Sequence, residues 1–136
     1  MPSGYSGTPL LKKLGIKPGM TLLPVNEPDD YFELLGPLPE GVMVVREGYD
    51  QPVDFIHLFV ENGERLHREF PGLKPKLDKE GMLWVSWIKG SSNRDTDING
   101  NNVRSLGLEI GLVDIKVCAV DEDWSGLKFV YRKEDR

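Results

Sequence analysis

Cysteine is nearly absent from this sequence. One residue of this type, Cys118, stands among 136, so neither an internal disulfide nor a thiolate metal cluster is available. It lies in the apolar run 115–120 and is expected to be a buried structural thiol. No apolar stretch approaches the roughly 20 residues of a membrane-spanning helix. The opening "MPSGYSG" has no basic flank and no apolar signal core. A cytoplasmic location without a membrane partner is therefore expected. Clustered basic charge is missing too. The net charge is −5, and lysines and arginines occur singly or in pairs, as in Lys12–Lys13. Counterion-release binding to nucleic acid needs clustered cations, so no nucleic-acid partner is expected.

A further absence is local. The stretch "LLPVNEPDDYFELLG" (22–36) reads as a buried strand turning directly into a helix. In nucleotide-binding α/β domains such a turn is rich in glycine, which lets the main chain approach a phosphate. Here the turn is Asn26, Glu27, Pro28, Asp29 and Asp30. Its proline offers no N–H, and its three carboxylates repel anions.

What is present is an alternation of strands and helices. A length of 136 residues fits one domain, with 1–7 and 133–136 expected to be loosely ordered. Thr8 and Pro9 read as a helix start, and Gly15 as the left-handed residue that ends it. "GMTLLPV" (19–25) is the first strand. Asp29 or Asp30 is positioned to cap a short helix ended by Gly36. "VMVV" (42–45) is the second strand, and "VDFIHLFV" (53–60), apolar on both faces, is a third strand between two helical layers. A helix from about Gly63 is expected to be interrupted at Pro71, with a second helical piece reaching Leu77. "GMLWVSW" (81–87) is the fourth strand. The polar stretch 88–102 is too rich in Gly, Ser, Asn and Asp to be core. Val103, Leu106 and Ile110 have helical spacing, ended by Gly111. "LVDIKVCAV" (112–120) and "GLKFVYR" (126–132) are separated by five residues, and so form an antiparallel hairpin. Alternation of this kind predicts a mostly parallel sheet with helices on both faces.

Two passages carry a family resemblance. "LKPKLDKEGMLWVSW" resembles the class I methyltransferase phrase in which a helix ends, Lys-Pro and Gly follow, and an apolar strand begins. "GLVDIKVCAVDEDWSGLKFVYRK" resembles that family's terminal hairpin, whose last strand inserts antiparallel into the sheet. Over nearly the whole chain, "GTPLLKKLGIKPGM", "MLWVSW" and "AVDEDWSGLKFV" resemble a group of short bacterial proteins with a trimmed, degenerate version of this fold. The resemblance implies an α/β, three-layer, truncated methyltransferase-like Rossmann sheet. Its strand order is 2-1-3-4-6-5, with strand six antiparallel. It implies no activity. The family's glycine turn, which receives S-adenosylmethionine, is replaced by 26–30. The family's ribose-binding acid after the second strand has a counterpart in Glu47.

The remaining chemistry is sparse. His57 reads as a satisfied core histidine and His67 as a surface one, and neither has a partner at metal-ligand spacing. Ser91–Ser92 lacks the flanking glycines of a nucleophile elbow. The run Asp121, Glu122, Asp123 reads as a solvated turn rather than a cation site. One edge is richer. Ligands of open parallel sheets bind beyond the carboxyl ends of the strands. Topology brings three segments there: Asn26 and Glu27; Trp87, Lys89, Ser91 and Arg94; and Asp123, Trp124 and Ser125. These are the candidate ligand-binding residues, for an anionic or planar group. The opposing reading has Trp87 and Trp124 roofing the sheet.

The expected role is therefore non-catalytic: binding a small ligand or protein partner at the carboxyl edge, with no cofactor, no metal and no catalytic residues. The alternative is a divergent S-adenosylmethionine-dependent methyltransferase, using Glu27 or Asp29 for the ligand amine and Glu47 for its ribose. A second alternative is a structural homodimer paired through the edge of the fifth strand.

Overall fold

The computed structural model describes residues 9–89 and 97–136. Six strands form one sheet: β1 (Thr21–Val25), β2 (Met43–Val44), β3 (Val53–Phe59), β4 (Leu77–Ile88), β5 (Leu112–Ala119) and β6 (Trp124–Tyr131). Their order is β2-β1-β3-β4-β6-β5. The first four run parallel, and β6 is antiparallel to both β4 and β5. The order and the antiparallel insertion are those that the family resemblance implies, and the parallel core and terminal hairpin are those expected from the alternation and the short last connection.

Two layers of helix cover the sheet. Helices α1 (Leu10–Leu14) and α2 (Tyr31–Leu35) lie with Leu22, Phe55, Phe59, Trp84, Ile88 and Trp124 on one face. Helices α3 (Gly63–Leu73) and α4 (Gly100–Glu109) lie with Leu23, Ile56, Leu58, Val85, Trp87 and Phe129 on the other. From Phe55 to Phe59 every residue of β3 is buried. This explains its unbroken apolar run, since alternation survives only where one face meets water. The fifth strand, β5, forms one rim of the sheet, and its Ile115 and Val117 are exposed.

Short helices need tertiary anchors, because five residues cannot hold a helix in water. Trp84 Nε1 donates to Leu14 O at 2.9 Å, fixing the last turn of α1 to the sheet. Gly15 (φ 87) then ends that helix in the left-handed conformation. Pro9 precedes α1 as its capping residue rather than its first helical one, and Thr8 lies outside the described residues. Asp30 stands at the cap position of α2 but makes no side-chain capping bond, which corrects the expected carboxylate cap.

Pro71 does not break α3. The helix continues to Leu73 and passes into a 3-10 turn, Lys74–Lys76. The lost N–H falls in the last turns, where Leu66, Phe70 and Leu73 form one buried stripe. Tyr131 Oη donates to Lys74 O at 2.8 Å and secures the end. Strand β4 begins at Leu77, four residues earlier than its apolar run, because Leu77 is buried and pairs with Val53. The polar stretch before α4 also supplies a core residue. Ile98 is buried between α3 and α4, with Asp97 Oδ1 accepting from Gly63 N at 2.8 Å beside it. At the C-terminus, Lys133–Asp135 form a second 3-10 turn.

Helix α4 crosses β6 at Gly107, where an added Cβ would lie 2.1 Å from the Phe129 ring. In an exposed helix, Gly→Ala gains up to about 1 kcal/mol. Here overpacking costs about 1–3 kcal/mol and dominates. Chemical denaturation of Gly107→Ala is expected to show a net loss of roughly 1–2 kcal/mol, whereas a gain would mean that α4 stands off the sheet.

Candidate functional site

The parallel strands deliver their carboxyl ends to one edge, and the turn after β1 closes it with side chains. Asn26 has φ 59, the one left-handed non-glycine among the described residues. That conformation is normally glycine's, and a short polar side chain that bonds locally is what tolerates it. Asn26 Nδ2 donates to the Glu69 carboxylate at 2.9 and 3.1 Å and lies 3.4 Å from Phe59 O. Arg65 Nε donates to the same carboxylate at 3.0 Å. The turn thus keeps a glycine-like backbone while its side chain is tied to α3.

The next residue, Glu27, is half-buried and accepts from Arg46, which follows β2. This ion pair bridges the ends of β1 and β2. Glu47, the candidate ribose-binding acid, is exposed beside it. These residues do not fit an adenosyl-methionine tail. Pro28 has no N–H to offer it. The Glu27 carboxylate would repel the tail's own carboxylate, and the guanidinium that could offset this is already paired with Glu27.

Of the two readings of the tryptophans, the structure follows the one in which they roof the sheet, and they do not converge. Trp87 packs with the α3–α4 layer and Trp124 with the α1–α2 layer, each at least nine-tenths buried. The strand parity of β4 sends Trp87 to the face opposite Trp84 and Ser86, whereas Trp124 meets Phe59 edge-to-face at 5.0 Å. They roof the two sides of the sheet instead of walling one site. Lys89 and Asp123 do meet: Lys89 N donates to Asp123 O at 2.8 Å, joining the end of β4 to the hairpin tip. Ser125 is half-buried in the ladder opposite Trp87 and Ala119. Ser91 and Arg94 lie outside the described residues, as does Ser92. In the acidic hairpin, Asp121 Oδ1 accepts from Asp123 N and Trp124 N at 2.8 and 2.9 Å, so it shapes the turn. Among the described residues no group of three or more His, Cys, Asp or Glu is placed to hold a metal. An open groove of about 690 Å³ lies at the same edge between the starts of α3 and α4, lined by Glu64, His67, Arg68, Asp97 and Asn102 among others.

A buried polar network lies behind this edge. His57, fully buried in β3, has Tyr31 Oη 2.9 Å from Nδ1 and Ser86 Oγ 2.7 Å from Nε2. Phe59 stacks on the imidazole at 4.2 Å. Burial pushes the His57 pKa down to about 3, so the ring is neutral. Burial, then the Glu27 carboxylate, raises the Tyr31 phenol far above its usual range. The unfolded chain takes up the histidine proton near pH 6.5. The neutral network therefore stabilises the fold fully above that pH and loses its contribution as the pH falls towards 3. His57 is the satisfied core histidine that its strand position implies. Tyr31 and Ser86, its partners, are not marked in the sequence. His67 is exposed, with Nδ1 2.9 Å from Gly63 O. Cys118 is half-buried on β5 rather than fully buried, because β5 is a rim strand. Burial still raises its thiol pKa.

No protein-family model matches the sequence, and no curated protein matches it. Solved structures do match. A SAM-dependent methyltransferase from Aquifex aeolicus superposes with TM-score 0.54 at 18% identity, covering 93% of this chain and 89% of its own. This chain has a methyltransferase-like fold. Fibrillarin from Aeropyrum pernix, with natively bound S-adenosyl-L-methionine, matches with TM-score 0.58 at 13% identity, over 93% of this chain and 70% of its own. Magnesium protoporphyrin IX methyltransferase from Synechocystis, with bound SAH, matches with TM-score 0.59 at 11% identity, over 90% and 78%. Among the described residues no helix is long and apolar enough to cross a membrane.

The turn makes its own prediction. Asn26→Ala loses the Glu69 bond and places an ordinary side chain at φ 59, a conformation costing about 1–2 kcal/mol. Asn26→Gly loses the bond but not the conformation. Urea unfolding is expected to rank Ala as the less stable of the two variants by about 1 kcal/mol; the reverse order would show that the left-handed backbone carries no strain.

Proposed function

We propose that this protein is a binding protein built on a methyltransferase-like sheet, and that it takes a small ligand or partner at the carboxyl edge without catalysing methyl transfer. The observation that carries the reading is the closed turn after β1. Side chains fill it: Asn26 is tied to Glu69 and Glu27 to Arg46, Pro28 offers no N–H, and the Glu27 carboxylate repels that of a cofactor tail. The groove between α3 and α4 opens at that edge and is within the size range of small-molecule sites, about 300–1,000 Å³.

The second reading, a divergent methyltransferase, draws support from the fold and from the left-handed backbone at Asn26, the conformation a glycine turn would have. In it Glu27 or Asp29 would take the ligand amine and Glu47 its ribose hydroxyls. Thermal-shift titration separates the two. A ligand at one hundred times its dissociation constant stabilises by about 2.7 kcal/mol, on the order of 5–10 °C for a domain of this size. The binding-protein reading expects a flat response to millimolar S-adenosylmethionine and S-adenosylhomocysteine. A saturable rise with either compound would replace it with the methyltransferase reading.

A further inference from the structure

Lysines that are scattered in the sequence meet on the α1 side of the sheet. Lys116 and Lys128 face each other across the β5–β6 ladder. Lys116 Nζ donates to Lys13 O at 3.1 Å. Lys128 Nζ lies 3.7 Å from where a Cβ on Gly15 would stand. Both ammonium groups therefore converge beneath the end of α1, with Lys13 and Lys17 two residues to either side of Gly15. The Cys118 thiol, two residues along β5 from Lys116 and so on the same face, packs against the α1 layer beside them.

This arrangement is costly. Like charges directly across a ladder destabilise it. Lys128 is also half-buried, and its pKa is held below the usual lysine value by burial, then by Lys116 and Lys17. Among the described residues no carboxylate forms an ion pair with Lys13, Lys17, Lys116 or Lys128. Yet the chain holds 22 acidic residues against 17 basic ones, so counter-charges are plentiful elsewhere. The carbonyls ending α1 attract cations, but Lys116 already serves Lys13 O. The remaining ammonium groups have no structural duty that the contacts reveal. Compact point charges of this kind suit phosphate oxygens. The cluster is confined to the end of one five-residue helix and two strands, too small for the extended stripe that a nucleic acid follows.

We propose that Lys13, Lys17, Lys116 and Lys128 form a binding site for a small phosphorylated anion, with Cys118 in its floor. The site is separated from the turn after β1 by β3 and β4. It therefore stands whether or not the proposed function above is right.

Cys118 is the sole cysteine and serves as the reporter. The full chain is alkylated with neutral iodoacetamide in pyrophosphate and in sodium chloride of equal ionic strength. Pyrophosphate is expected to slow labelling saturably, roughly tenfold at ten times its dissociation constant. The double variant Lys116→Gln/Lys128→Gln is expected to lose that protection. The melting temperature reads the same binding without the thiol: pyrophosphate raises it for the parent chain and not for the variant. Equal labelling and equal melting in the two salts, or an undiminished response in the variant, would overturn the proposal.

Discussion

Burying an imidazole between two helical layers costs free energy unless its ring nitrogens find partners, and at the centre of this sheet both do. His57 is fully buried in β3, and its nitrogens reach Tyr31 and Ser86. Ser86 comes from the neighbouring strand, but Tyr31 comes from α2. That helix has five residues, too few to persist without an anchor, so Tyr31 sets where it sits. With β1 fixed in the sheet and α2 fixed to His57, residues 26–30 are tied at both ends. Asn26 then turns left-handed and Glu27 comes to Arg46. The closed edge is thus a consequence of how the core histidine is satisfied.

The same geometry separates two chemistries across the molecule. At β1 and β2 the edge carries one ion-paired carboxylate, Glu27, and an asparagine bonded to a glutamate. Beyond β4, the rim formed by β5 and β6 carries lysines for which no carboxylate ion pair is found among the described residues. A methyltransferase-like sheet supports both, because the fold positions its edges and does not choose the side chains on them. The likeness to solved methyltransferases, at 11–18% identity, concerns that scaffold.

The strands, the parallel core and the terminal hairpin were legible from local signals, whereas the strand order came from the resemblance to the methyltransferase sheet. The unbroken apolar run of β3 marks a strand covered on both faces, and the short connection at 121–125 forces β6 to run antiparallel. Gly15 and Gly36 both adopt positive φ, as their positions after short helices imply. Pro71 misleads because its cost is local while the burial of Leu73 is tertiary. Ile98 was hidden by its polar neighbours. The opposite facing of Trp87 and Trp124 was partly legible: counting alternate residues along β4 separates Leu83, Val85 and Trp87 from Trp84, Ser86 and Ile88. The lysine cluster was not legible, because it depends on the β5–β6 register and on where α1 ends over it. The partners of His57 were likewise invisible, since nothing local distinguishes Tyr31 from any aromatic on a short helix.

A neutral His57 held between Tyr31 and Ser86 anchors this edge of the fold, and imidazole nitrogen shifts measured by NMR across a pH series test it directly. The shifts are expected to stay flat from pH 8 down to about pH 5, with protonation only near about pH 3 or on acid unfolding. A His57 that titrates in the folded protein near the ordinary value of 6.5 would contradict it, because an imidazole open to protonation there could not be the buried anchor that sets α2 and the turn before it.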